Sequence, residues 1–250
     1  MFVRVGHWSS HTYARLSVKD FVEEFCGWQP LCELINHAES GRNRAFLACL
    51  FLTGGRVGEV LSLRKENFEL RRRERVLIVR GMPLLKRYKK TAEQVDVSGK
   101  KHWVTEKVQA TRKPFPILLR EPLTPILLAW IEQSKDLLFP SPYKHGEPLS
   151  RFWAYHFIRS LDKTLPLELK QKLGLDKPFI KNGKLVADKL HLWLHWFRSQ
   201  RASQLVSDFG FEVADLVDYF SWEHYGTALT YARRGWKGLA SKMRKAKLNA

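Results

Sequence analysis

Residues 53–61 read Thr-Gly-Gly-Arg-Val-Gly-Glu-Val-Leu, and this stretch is the most informative part of the 250-residue chain. The glycine pair ends an apolar helix predicted from Asn43 to Leu52, and a new helix is predicted from Arg56 to Leu63. An arginine at a helix start, beside free backbone N–H groups, suits an anionic oxygen. Glu59 lies one turn further on and can orient Arg56. The simpler alternative is an intrahelical ion pair worth about 0.3 kcal/mol.

Two further groups of functional side chains lie closer to the C-terminus. His195 and Arg198 are three residues apart in a predicted helix, so they share one face. Trp222 is followed nine residues later by Tyr231. Taken singly, His195 and Arg198 can be a surface pair, Trp222 a core residue and Tyr231 an ordinary tyrosine. Taken together with Arg56, they make a set that can neutralise, hydrogen-bond and attack a phosphodiester.

The charge of the chain favours a polyanionic partner. Lys and Arg number 43 against 25 Asp and Glu, which gives a formal net charge of +18 and a pI near 10.0. Nucleic acid is the first partner to expect for such a surface. A solvated basic surface, or a nucleic-acid binder without chemistry, is the alternative reading of charge alone.

The cysteines and the hydropathy limit the class of protein further. Cys26, Cys32 and Cys49 form no Cys-x-x-Cys pair, and no histidine cluster has zinc spacing. They are expected to be buried thiols in a reducing cytoplasm, with no disulfide framework and no metal. No apolar run approaches the roughly 18 residues of a membrane helix, so no membrane partner is expected.

The periodicity predicts a mainly α fold with a small antiparallel β-sheet. Strands are predicted at Arg75–Arg80, Met82–Arg87 and Pro114–Leu119, and the polar stretch from Tyr88 to about Lys101 reads as a mobile loop. Residues 163–188 are interrupted by Pro and Gly and read as a short helix plus loop. The other predicted helices are Ser17–Cys26, Pro30–Ala38, Leu123–Ser134, Ser150–Asp162, Leu190–Val206, Glu212–Phe220 and Tyr225–Arg233.

One helix carries a more detailed prediction about its packing. In Ser150–Asp162 the residues expected to form the buried stripe are Phe152, Trp153, Phe157 and Leu161.

The three groups, in this order, resemble the catalytic domain of the tyrosine recombinase (phage integrase) family. Residues 53–63 match its Thr-Gly-x-Arg-x-x-Glu-Leu-x-x-Leu box at Arg56, and His195 with Arg198 matches its His-x-x-Arg box. The last box pairs Gly-His with a later tyrosine, and Ser221-Trp222 stands here in place of Gly-His, ahead of Tyr231. The resemblance covers roughly residues 20–235. Each box alone is only moderately specific. Three boxes in the family's order and with its spacing are a strong signal.

The family also uses a catalytic lysine on its sheet. The segments Met82–Arg87 and 112–117 are most similar to archaeal-type members, which points to Lys86 as this residue. Lys89 and Lys107 are the other candidates, because the stretch between the strands is longer than usual. Each lysine can equally be a DNA-backbone contact or a solvated charge.

The resemblance implies a DNA strand transferase: a site-specific recombinase or integrase of the kind that mobile genetic elements and viruses use. Tyr231 would attack the scissile phosphate and leave a 3′-phosphotyrosyl link. Arg56 and Arg198 would clamp the phosphate, and Glu59 would support Arg56.

It also implies roles for the remaining residues and for partners. His195 would help accept the tyrosine proton, Trp222 would donate to the phosphate and Lys86 would protonate the leaving 5′-oxygen. No cofactor or metal is implied. The partners would be double-stranded DNA and further copies of the chain, as a tetramer on paired sites, and the location would be the cytoplasm, at the nucleoid of a prokaryotic host.

The chain departs from the family at its N-terminus. Residues 1–16 are expected to be an arm, 17–235 the catalytic domain and 236–250 a basic tail, with no separate core-binding domain ahead of Arg56. Three alternatives stay open: a type IB topoisomerase, a catalytically inactive DNA-binding module, and a non-catalytic RNA-binding protein.

Overall fold

A computed structural model describes residues 24–95, 101–176, 179–181, 184–186 and 191–232. For 85–95, 102–109, 179–181, 184–186 and 232 the description is limited to the backbone. The helices are α1 (Trp28–Asn36), α2 (Gly41–Thr53), α3 (Val57–Leu61), α4 (Thr124–Gln133), α5 (Arg151–Thr164), α6 (Leu167–Lys172), α7 (Leu194–Phe209), α8 (Val213–Phe220) and α9 (Tyr225–Ala232). The strands are β1 (Phe68–Arg71), β2 (Val76–Val79), β3 (Pro83–Val95), β4 (Lys101–Thr111), β5 (Phe115–Leu118), β6 (Phe179–Lys181) and β7 (Lys184–Val186).

Helix α2 is the centre of the core. Ser40 caps it, accepting a 3.2 Å hydrogen bond from the backbone N–H of Asn43. Every residue from 45 to 53 is fully buried, so the helix is enclosed on all sides by its neighbours, among them α4 and α7. Gly54 ends the helix with φ 54°, a left-handed conformation that glycine adopts without steric cost. The candidate site residue Arg56 therefore lies three residues after a fully buried helical segment.

The small sheet has the order β1-β2-β5, with both neighbouring pairs antiparallel. Val79 pairs with Phe68 on one side and with Phe115 on the other. The predicted strands at 75–80 and 114–119 are confirmed. Strand β1 was not predicted, because Phe-Glu-Leu-Arg is short and half charged and so carries little β signal.

The predicted loop from Tyr88 to Lys101 is wrong over most of its length. The segment expected as a short strand at 82–87 is the start of β3, which continues to Val95 and pairs antiparallel with β4. Tyr88 lies opposite Val108, and Val95 lies opposite Lys101. Charged residues argued for a loop, but pairing across a two-stranded ribbon satisfies backbone N–H and C=O groups whatever side chains the strands carry.

Helix α5 lies where it was predicted, but its buried stripe differs from the predicted one. Ser150 accepts a 3.1 Å hydrogen bond from the backbone N–H of Trp153. Phe152, however, is 72% exposed. The buried stripe runs through residues spaced i, i+4 and i+7, and Phe152 lies about 200° around the helix from its first member. That stripe consists of Ala154, Ile158 and Leu161, and Trp153 and Phe157 are half-buried beside it.

The remaining predicted helices are confirmed to within a few residues, with three exceptions. Residues 24–26 are not helical, and the rest of the helix predicted at Ser17–Cys26 lies outside the described residues. Helix α7 begins at Leu194 rather than Leu190. Residues 163–188 contain α6, as expected, and also the short pair β6–β7. The arm at 1–16 and the tail at 236–250 lie outside the described residues.

Within the described part of the chain, no helix combines the length and the apolar character that a membrane crossing requires.

Candidate active site

The turn between α2 and α3 is closely packed and places Arg56 at the start of α3. A Cβ atom on Gly54 would lie 2.4 Å from the ring of Phe220. One on Gly55 would lie 2.2 Å from Met82 and 2.8 Å from Val60. A side chain at either position would therefore collide with its neighbours, which explains why both residues are glycine.

Glu59 is the buried carboxylate that organises this turn. It is fully buried, and it accepts hydrogen bonds from the backbone N–H of Arg56 at 2.8 Å and from Arg56 Nη1 at 2.9 Å. Its second oxygen lies 3.9 Å from Nη1 of Arg198. The Arg56–Glu59 contact predicted from the sequence is present. It is more than an intrahelical ion pair, since the same carboxylate faces both arginines.

Arg198 is buried at the same place, on α7. Its Nη1 donates a 2.6 Å hydrogen bond to the carbonyl oxygen of Gly54. Its Nη2 is buried and has no hydrogen-bond partner among the described residues. Burial, followed by the positive charge of Arg112, lowers the pKa of Arg198 to about 9, so the group remains a cation at neutral pH.

Three aromatic rings lie in a stack beside Arg198. Phe220 and Trp222 are 4.5 Å apart and nearly parallel, and Trp222 and Tyr231 are 5.7 Å apart at 18°. The Arg198 guanidinium lies 4.7 Å from the Phe220 ring centre and 5.4 Å from that of Trp222. Ser221, with φ 49°, makes the left-handed turn that ends α8 and lets Trp222 fold back under Tyr231.

His195 precedes Arg198 by almost one helical turn. The residue is partly exposed to solvent. Desolvation of the imidazole by the surrounding protein, followed by the positive charges of Arg198 and Arg56, lowers its pKa to about 4, and the negative charge of Glu59 opposes this shift. The imidazole is therefore neutral at pH 7, the form that can accept a proton.

These groups line one cavity of about 150 Å³. Arg56, His195, Arg198, Trp222 and Tyr231 are all in its wall, although they come from three separate regions of the sequence. The remaining lining residues are Leu84, Ser221, Glu223, His224 and Thr227. The cavity combines two guanidiniums, a neutral imidazole and a phenol, which is the chemistry of an anion site with a nucleophile.

The candidate lysines are placed only by their backbone. Lys86 lies on β3, two residues after the cavity-lining Leu84, so the strand passes the site at this point. Lys89 and Lys107 lie opposite each other in the β3–β4 ribbon. The side chains of all three lie outside the described residues, and the choice between them stays a prediction.

Sequence reasoning missed Arg112, a third buried arginine behind the site. Its Nη1 donates to the carbonyl of Thr53 at 2.8 Å, and its Nη2 donates to the carbonyl of Tyr219. Its guanidinium lies 4.0 Å from the ring centre of Phe115. Burial lowers its pKa to about 10. Among 43 basic residues, no spacing marked it, because its role is to join the ends of α2 and α8 beneath β5.

A separate buried network holds α7 in place. Arg201 forms an ion pair with Glu121 and donates to the hydroxyl of Tyr219 at 3.0 Å. That hydroxyl donates in turn to the carbonyl of Leu52 at 2.8 Å. The helix that carries His195 and Arg198 is therefore fixed to α2 by hydrogen bonds as well as by packing.

Among the residues that the structure describes, no group of three or more His, Cys, Asp or Glu side chains has the arrangement of a metal site.

The fold is similar to solved structures of recombinases and integrases. The XerA recombinase matches with a TM-score of 0.52 and 16% identity, over 91% of this chain and 67% of that chain. The Tn1549 transposon integrase in complex with transposon right end DNA matches with a TM-score of 0.50 and 14% identity, over 88% of this chain and 63% of that chain.

The architecture is that of a tyrosine recombinase catalytic domain. This confirms the fold predicted from the three boxes. The match spans about two thirds of the length of each of these two proteins. Neither a protein-family model nor a curated protein sequence matches the chain.

Proposed function

We propose that the chain cleaves and rejoins DNA strands as a tyrosine recombinase or integrase. The observation that carries the proposal is the placement of Arg198 and Tyr231 in one cavity with Arg56. Nη2 of Arg198 is buried and has no hydrogen-bond partner within the described part of the chain, and such a nitrogen is costly. An anionic phosphate oxygen is the ligand that best satisfies it.

In the proposed reaction, the phenol oxygen of Tyr231 attacks the scissile phosphorus and the bond to the 5′-oxygen breaks. The phenol proton passes to His195, and the leaving 5′-oxygen gains a proton to become a hydroxyl. The products are a 3′-phosphotyrosyl link and a free 5′-hydroxyl end. Rejoining is the same step in reverse, so the energy of the phosphodiester is kept in the phosphotyrosine.

The two arginines supply the electrostatic part of this mechanism. Negative charge builds on the non-bridging oxygens as the phosphorus becomes pentacoordinate. Arg56, whose side chain is partly exposed, and Arg198, which is buried, both line the cavity and would bind those oxygens. Trp222 would donate its indole N–H to the phosphate. Lys86 remains the proposed donor to the 5′-oxygen.

DNA binding would be governed by charge. With a net charge of +18, most of the affinity for a duplex should come from phosphate contacts and should fall steeply with salt. The Tn1549 integrase structure that the fold resembles was solved in complex with transposon right end DNA. For this chain, double-stranded DNA and assembly into a tetramer on paired sites are part of the proposal.

Covalent trapping tests the proposal. The probe is a pool of duplexes with a randomised central segment and a nick in one strand, so that a cleaved strand loses a short end and cannot be religated. Wild-type protein should form an adduct that survives denaturation, and the adducted peptide should contain Tyr231.

The matched pair of variants is Tyr231→Phe and Tyr225→Phe. Both remove one phenol oxygen from helix α9, but Tyr225 is 60% exposed and does not line the cavity. The first variant should bind DNA and form no adduct, and the second should react like wild type. An adduct on Tyr225, or none in wild type on any member of the pool, contradicts the proposed function. Junction formation between two selected sites then distinguishes recombination from simple strand relaxation.

A further inference from the structure

The hydroxyl of Tyr231 lies 3.2 Å from the hydroxyl of Ser199. The two residues are 32 positions apart, on α9 and α7, and both side chains are buried. Ser199 directly follows Arg198 in the sequence. The family boxes include His195 and Arg198 but give Ser199 no role.

We propose that Ser199 is a positioning residue that sets the phenol oxygen of Tyr231 relative to Arg198. This inference rests on the proposed function, in which Tyr231 is the nucleophile. A tyrosine side chain has two rotatable bonds before its ring is fixed. Here the ring face lies against Trp222, and the hydroxyl is held by Ser199. Both ends of the side chain are thereby fixed.

The helix makes this arrangement rigid. Ser199 and Arg198 are consecutive residues in the interior of α7, which Arg201 joins to Glu121 and Tyr219. Because Ser199 holds the Tyr231 oxygen, that oxygen is tied to the residue next to Arg198 on α7. Holding a nucleophile close to its target and in the correct orientation removes part of the entropic barrier of the reaction.

The same hydrogen bond should strengthen during the reaction. Either hydroxyl can be the donor while Tyr231 keeps its proton. Once the proton leaves, the phenolate oxygen can only accept, so Ser199 must donate. A hydrogen bond to an ionised acceptor is about twice as strong as a neutral one. Ser199 would therefore stabilise the transition state more than the resting state, as a rate effect requires.

The test measures cleavage of a nicked duplex that wild-type protein has selected from the randomised pool. Single-turnover rates are measured at saturating protein across a range of pH. Ser199→Ala should cleave about tenfold more slowly, the worth of one hydrogen bond. Its pH–rate profile should move to higher pH, because the phenolate has lost a donor. Its affinity for intact DNA should stay within about twofold of wild type.

Two further variants separate positioning from packing. Ser203→Ala is the control, because Ser203 lies one turn further along α7 and is similarly buried, and the proposal gives it no part in holding the Tyr231 hydroxyl. It should cleave at the wild-type rate. Ser199→Thr keeps the hydroxyl and should cleave within about threefold of wild type. If Ser199→Ala does not fold, Ser199→Cys replaces it, because a thiol of similar size is a poorer donor.

The outcomes distinguish the two proposals. A wild-type adduct on Tyr231, together with Ser199→Ala at the wild-type rate and pH profile, overturns the role of Ser199 and leaves the proposed function intact. Equal losses in Ser199→Ala and Ser203→Ala also overturn it, because they indicate packing of α7. The absence of any wild-type adduct overturns both.

Discussion

The guanidinium of Arg198 donates a 2.6 Å hydrogen bond to the carbonyl oxygen of Gly54, which lies 144 residues earlier in the chain. Gly54 is the left-handed residue at which α2 ends. Helix ends leave carbonyl oxygens without helical partners, and Arg198 satisfies one of them. The contact joins the glycine turn to α7, and it occupies one of the two terminal nitrogens of Arg198. The other nitrogen is the one that the proposed mechanism assigns to phosphate.

Arg198→Lys should abolish most of the strand cleavage while keeping the charge. A lysine has one ammonium group and cannot both bind the Gly54 carbonyl and present a second donor to phosphate in the guanidinium geometry. The cleavage rate should fall by about 10²–10³, the typical loss for one donor to a developing oxyanion. The control is Arg64→Lys, which changes an exposed ion pair with Asp136. The cleavage rates are measured on a nicked duplex selected in the trapping experiment. If Arg198→Lys cleaves it at the wild-type rate, the assigned role is contradicted.

Gly55→Ala should destabilise the protein at the glycine turn. The added methyl group would lie 2.8 Å from Val60, whose branched side chain cannot rotate away freely, and 2.2 Å from the more flexible end of Met82. Overpacking of this kind costs about 1–3 kcal/mol of unfolding free energy. Urea denaturation measures it. Gly41→Ala is the control, because a Cβ atom there meets nothing within 4 Å. Equal stabilities for the two variants would show that the turn relaxes.

The sequence was a better guide to which residues share one cavity than to the extent of the strands. The boxes around Arg56, Arg198 and Tyr231 are local patterns, and each includes a turn or helix whose geometry is set within a few residues. Their gathering in one cavity follows from the fold that the resemblance implied. The roles assigned to them remain predictions, to be decided by the trapping experiment.

Three features depend on contacts between distant segments and could not be read from local pattern. The β3–β4 ribbon is held by pairing between strands. The exposure of Phe152 depends on which side of α5 faces the core. The burial of Arg112 depends on where α2 and α8 end. Composition and periodicity describe one segment at a time, so they do not contain this information.

Arg112→Met should lower stability without altering the cavity chemistry directly. Methionine fills part of the volume but leaves the carbonyls of Thr53 and Tyr219 without their donor. Each unsatisfied buried carbonyl costs about 1–3 kcal/mol, so the loss in unfolding free energy should exceed that of a surface change. Lys113→Met is the neighbouring control, since it breaks only an exposed ion pair with Asp218 and should change stability by less than about 1 kcal/mol. Similar values for the two variants would contradict a structural role for Arg112.

His195 should make acid pH destabilising in the protein without a bound anion. Its folded-state pKa, about 4, lies below the ordinary value of 6.5. The unfolded chain therefore binds the proton more readily, and the unfolding free energy should fall as the pH drops from 6.5 towards 4. His195→Asn should reduce this slope, as measured by denaturation at a series of pH values. An unchanged slope would show that the imidazole titrates normally.

Binding of an anion in the cavity should raise the lowered pKa of His195, so that the imidazole takes up a proton. A negative charge beside His195 favours the imidazolium and raises the pKa of His195, so affinity for the anion should increase as the pH falls below neutral. Inorganic sulfate is the suitable probe, because its own charge is constant over this range. Calorimetry at about pH 5.5, in buffers of different ionisation enthalpy, counts the protons taken up on binding. His195→Asn should abolish the uptake, whereas His224→Asn, which alters the other histidine in the cavity wall, should retain it. Sulfate binding without proton uptake in the wild-type protein would place the anion away from His195 and would contradict the shared phosphate site.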